Sequence, residues 1–140
     1  MEINFSKGDL LAGQPIGPGW YKGTIVKEEI ATAEGKINYT ITLNFDDPAL
    51  SADERTVDHT FWNCVGSGKG FLRPYMASLL NKSLKEVTDG LDKGQNFGFQ
   101  FGEGQNVGKK IQFKLDNESY QGRILNKIQG WLPYSMEVPF

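Results

Sequence analysis

This chain of 140 residues has one cysteine and one histidine. A single cysteine excludes an internal disulfide and fits a reducing compartment. His59 and Cys64 together supply two metal ligands where a tetrahedral site wants four. His59 is also the sole histidine that could act as a base, and no serine and acid are spaced to work with it. Gly68-Lys69 has the look of a phosphate-binding loop, but Asn63 stands where the first glycine belongs and Gly70 where a magnesium-holding hydroxyl should be. The sequence is therefore read as a non-enzyme with no catalytic residues, no metal and no cofactor. No apolar run approaches the ~20 residues that span a membrane, and Met1-Glu2-Ile3-Asn4 lacks the basic and apolar regions of a signal peptide. A cytoplasmic protein with no membrane partner is expected. A net charge of -2 excludes a protein that coats a polyanion through bulk positive charge, yet leaves room for a local basic groove.

What the chain has is glycine (17), aromatic residues (12%) and short β-branched runs, a composition of strands and turns. Residues 1–18 form a turn-rich lead-in, 19–134 one domain, and 135–140 a C-terminal tip. Trp20–Ile30 reads as a first strand with a bend at Gly23. Ile37, Tyr39, Ile41, Leu43 and Phe45 alternate with polar residues, the pattern of a half-buried second strand. Asp46-Asp47-Pro48 ends it, and a third strand runs from about Arg55 to Asn63. Leu72, Tyr75, Met76, Leu79 and Leu80 then fall at helical spacing, with Pro74 expected in the first turn. Ser83-Leu84-Lys85-Glu86 has the spacing of a capping box and opens a second short helix. Ile111, Phe113 and Leu115 mark a fourth strand, and Arg123–Trp131 a fifth. There is no internal repeat.

Three strands, a helix and two strands is the order of an OB-fold. The expectation is an all-β fold with a helix: a five-stranded barrel with the helix between strands 3 and 4. A β-sandwich with an inserted helix has the same order. Gly19-Trp20-Tyr21-Lys22-Gly23, Phe61-Trp62-Asn63, the helix 71–80 and Asn126-Lys127-Ile128-Gln129-Gly130-Trp131-Leu132-Pro133 carry a further likeness. Over residues 19–134 the chain resembles a family of phage-encoded OB-fold proteins associated with single-stranded DNA binding. The resemblance implies a sequence-tolerant, non-catalytic binder of single-stranded DNA. It would act in phage or bacterial replication, recombination or repair, in the host cytoplasm if phage-encoded.

Such binding needs cations along a groove and aromatic faces on which bases stack. Lys110 and Lys114 lie opposite Ile111, Phe113 and Leu115 on strand four, while Arg123, Lys127 and Trp131 share one parity on strand five. Together they make a binding strip or an ordinary solvated face. Lys22 in the first strand and Lys36 beside the first turn add charge. Trp62 is taken as the outward ring beside an inward Phe61, packing under the helix being its other placement. Tyr120, between strands four and five, is a second stacking candidate, and Tyr39 belongs to the core parity. Phe97, Phe99 and Phe101 alternate with Gly98 and Gln100, as in a buried strand, an aromatic arm or a strand that pairs with another subunit. Homo-oligomerisation is left open. Glu137-Val138-Pro139-Phe140 forms an acidic, apolar tip, either a hook for a replication or repair protein or a cover for the domain's own core. The rival function is a structural or adaptor OB domain that binds protein or glycan without nucleic acid.

Overall fold

The computed structural model describes residues 1–3, 16–51 and 55–138; Pro139 and Phe140 of the tip lie outside the described residues, as do the side chains of Tyr120 and Arg123. The elements run β1 (Gly19–Ala33), β2 (Lys36–Phe45), a single helical turn α1 (Pro48–Ser51), β3 (Thr56–Phe61), α2 (Lys69–Leu79), α3 (Leu84–Asp92), β4 (Lys110–Tyr120) and β5 (Arg123–Leu132). All five strands join one antiparallel sheet in the order β3-β2-β1-β4-β5. The fold is mostly β, with the helices α2 and α3 between β3 and β4 as the sequence predicts.

β1 serves both halves of the sheet. Gly23 faces Phe45 of β2 and Ile111 of β4 in the two ladders. A Cβ there would overlap the Asn44 carbonyl oxygen and come within 2.7 Å of the Phe113 ring, so only glycine lets the two halves close around this point. The ladder shifts register between Ile25 and Lys27, which adds to the bend. The β1–β2 hairpin turns through Glu34 (φ 53°) and Gly35 (φ 76°), the two left-handed positions of a type I′ turn.

The edge strands β3 and β5 have no backbone pairing with each other, so the described sheet is not closed into a barrel. Side chains bridge the gap instead. The Trp131 ring on β5 lies 5.4 Å from His59 and 5.8 Å from Phe61 on β3, centroid to centroid. Beneath them Ile25, Ile41, Leu43, Phe45, Ile111, Phe113 and Leu115 are fully or almost fully buried, and Leu72 and Tyr75 of α2 plug this core.

α2 begins at Lys69, two residues before the expected start, so Pro74 falls in the second turn and leaves the Gly70 carbonyl without its usual amide. The capping box of α3 forms: the Glu86 amide donates to Ser83 Oγ (3.1 Å) and the Ser83 amide to the Glu86 carboxylate (3.4 Å). Phe97, Phe99 and Phe101 do not form a strand; they are half-buried on a segment that joins no ladder. Asn106 fastens the loop that follows. Its amide (3.1 Å) and side chain (2.7 Å) donate to the buried Glu28 carboxylate, which also accepts from Tyr39, itself bonded to Tyr75 (2.8 Å).

Candidate nucleic-acid interface

The strip expected on β4 and β5 is interrupted. Lys110, Gln112 and Lys114 share the outer face of β4, opposite Thr24, Lys22 and Trp20 of β1. Gln112, between the two lysines, is 1% exposed because residues 133–136 cross over it. Its amide group donates to the Pro133 (2.8 Å) and Met136 (2.6 Å) carbonyls. Tyr134 anchors this crossing: its hydroxyl donates to Asp46 (2.8 Å), and the Lys22 and Lys110 ammoniums sit over its ring at 5.0 and 5.4 Å. Lys110 also pairs with Asp46 (3.1 Å). Two of the expected cations are therefore engaged in clamping the chain's own C-terminal segment.

Trp131 requires a correction. Strict alternation puts it outward with Arg123 and Lys127, but the β4–β5 ladder shifts register between Lys114 and Leu115, skipping Gln129. The extra residue inverts the parity beyond it. Trp131 thus turns inward against Tyr75 (5.0 Å), His59 and Phe61. Lys114 stays exposed, and Lys127 is exposed with Glu118 at 3.9 Å. Arg123 is on β5 and Tyr120 ends β4, with nothing described of either side chain. Of the tip, Glu137 is exposed and Val138 half-buried.

The other candidates converge at the far end of β2 and β3. Lys36, Asn38, His59, Thr60, Phe61, Trp62 and Phe71 line a groove of about 670 Å³ with the Ala33–Glu34 turn on one side and Ser67–Gly68 on the other. Trp62 is 70% exposed and Phe71 79%, large apolar rings held in water at the groove's rim. Their positions follow from the turn between β3 and α2. The Asn63 amide donates to Asn38 Oδ1 (2.9 Å) and the Cys64 amide to the Ile37 carbonyl (2.9 Å), tying the end of β3 to β2. Asn63 (φ 46°) then reverses the chain, and its side chain holds Ser67 (2.9 Å). Gly68 closes the turn under Trp62 and precedes α2, whose first turn carries Phe71, exposed beside the buried Leu72. Spacing gives no signal for this exposure: Phe71 stands four residues before the buried Tyr75, on the same side of α2.

Electrostatics separate the groove from the clamp. Burial alone drives the His59 imidazole down to about 4, so it lines the groove as a neutral ring at neutral pH. Burial raises the Cys64 thiol, and the residue packs wholly inside. Burial also opposes ionisation of Asp46, but hydrogen bonds from Tyr134, Thr24 and Lys110 outweigh it and hold the carboxyl below its ordinary value. Glu28 behaves likewise, its burial offset by Tyr39 and Asn106. Among the described residues no helix is long and apolar enough to cross a membrane.

No protein-family model matches this sequence, and a search of the curated proteins finds no match either.

Proposed function

We propose that this chain is a non-catalytic, sequence-tolerant single-stranded DNA-binding protein on an OB-type fold, acting in phage or bacterial DNA replication, recombination or repair. The observation that carries the reading is the pair of exposed rings, Trp62 and Phe71, on the rim of a groove with Lys36 beside it. Exposed indole and phenyl faces are costly in water and useful where bases can cover them; stacking contributes roughly 1–3 kcal/mol per base and tolerates any sequence. The groove lies on β2 and β3 next to the β1–β2 turn, which is where an OB-fold binds oligonucleotides. The OB reading is further supported by the first strand shared between two ladders and by edge strands that meet through Trp131.

In this mechanism bases leave their partners to lie on Trp62 and Phe71, which keeps the strand from re-pairing. Phosphates meet Lys36 first and then Lys114 and Lys127, whose exposed ammoniums remain on the β4–β5 side. A titration of fluorescent oligo-dT at two salt concentrations tests the reading. Binding that weakens with salt and quenches tryptophan emission is expected. No binding by the folded protein at low salt would overturn it in favour of the adaptor role.

A further inference from the structure

We propose that the cleft between α2 and residues 95–101 binds an extended peptide of alternating acidic and apolar residues, which adds as a strand to Asn96–Phe99. This cleft is separate from the Trp62 groove and has a volume of about 520 Å³. One wall is a single stripe of α2, Lys69, Leu72, Arg73 and Met76, at helical spacing. Phe97, Phe99 and Phe101 of the segment after α3 line the cleft as well, as does Leu91.

Three observations define the occupant. First, the segment has the alternation of a strand without a partner strand: Asn96, Gly98 and Gln100 are exposed while the three phenylalanines are half-buried. No backbone amide or carbonyl from Asn96 to Phe99 has a hydrogen-bond partner among the described residues. An extended backbone with free donors and acceptors is a template for strand addition. Second, Lys69 and Arg73 are exposed, one turn apart, and have no acidic partner among the described residues. In a chain of net charge -2 such a pair selects carboxylates. Third, the rings suit aliphatic or aromatic side chains inserted edgewise and do not suit stacked bases. Phe99 and Phe101 stack on each other (5.8 Å), Phe99 meets Tyr75 in a T-shaped contact and Phe101 tilts against Tyr39, so each ring already has one face against another ring or is held edgewise. That distinguishes this cleft from the groove, where the ring faces are open.

The test uses two capped hexapeptides, Asp-Phe-Asp-Leu-Asp-Val and its counterpart with lysine in place of aspartate, each labelled with fluorescein, and the full chain. The acidic peptide is expected to bind and to slow hydrogen exchange at the amides of residues 96–99, and the lysine peptide to bind at least tenfold more weakly. Lys69→Glu with Arg73→Glu should abolish the difference while leaving the melting temperature and oligo-dT affinity near those of the parent, since both side chains are exposed. An acidic peptide N-methylated along one backbone edge should lose binding, because strand addition needs those amides. Equal binding of the two peptides, no binding at millimolar peptide, or unchanged exchange at 96–99 would each overturn the proposal. So would displacement of bound peptide by oligo-dT in the parent, which would assign the cleft to nucleic acid.

Discussion

Gly68 lies directly beneath the carbonyl of Trp62. A Cβ on Gly68 would overlap that oxygen and come within 3.0 Å of the Asn63 carbonyl, although the backbone there (φ -86°, ψ 2°) is open to any residue. The constraint is contact with backbone, which cannot swing away as a side chain can. This one close approach sets the distance between the end of β3 and the start of α2, and hence between the two rings that flank the groove.

Gly68→Ala is therefore expected to destabilise the fold by about 1–3 kcal/mol, the range for forced overpacking. It should also weaken oligo-dT binding more than the stability loss explains, because Trp62 and Phe71 move apart. Urea unfolding beside a binding titration checks this. Parent-like values in both would mean that the turn relaxes freely.

Trp62→Ala and Phe71→Ala should each weaken oligo-dT by about 1–3 kcal/mol while leaving the salt slope unchanged. Neither should lower stability much, since both rings are mostly in water. Full affinity in the double variant would remove the groove from the DNA path.

The cations should divide into two groups. Lys36→Ala is expected to reduce the slope of log K against log salt by about 0.7, the value for one phosphate contact on a single strand. Lys110→Ala and Tyr134→Phe should leave that slope alone and lower the urea midpoint slightly, because both act on Asp46 and the C-terminal crossing. Measuring salt slopes and urea midpoints for all three separates binding from clamping.

His59 predicts a pH dependence whose sign is fixed by burial. Its folded value is depressed to about 4 from an ordinary 6.5, so the unfolded chain binds more protons between those limits. Stability should fall as pH drops through this window, by on the order of 3 kcal/mol in all. Glu28, whose folded value is also lowered, keeps its full contribution above its unfolded value of 4.5 and loses it only below. Urea unfolding between pH 7 and 5 thus isolates the histidine, and His59→Phe should flatten the slope there. An unchanged slope in that variant would assign it to other groups.

Much of the fold is legible along the chain. The alternation from Ile37 to Phe45 specifies which face of β2 is buried, because a strand's side chains point to opposite sides in turn. Ser83 and Glu86 mark the start of α3 because their reciprocal bonds join residues three apart. Gly23 marks the bend in β1, although the reason for it, contact with Asn44 and Phe113, involves partners far along the chain.

The binding surface was legible only in part. Trp62 faces outward as the sequence predicts, since its neighbour Phe61 fills the core. On the β4–β5 strip parity fails at one point on β5, and on β4 it holds but the outer face is partly covered. A bulge at Gln129 turns Trp131 into the core, and the segment 133–136 covers Gln112 and engages Lys22 and Lys110. Local periodicity determines which residues share a face of an element, so the sequence by itself determined the strands, the helices and most of the core. What covers a face depends on residues distant in the chain, brought there by ladder register and loop closure. Tertiary structure alone therefore decided that Lys36, Trp62 and Phe71 would meet in one groove, and that Lys110 of the expected strip, with Lys22 beside it, would be engaged by the chain's own end.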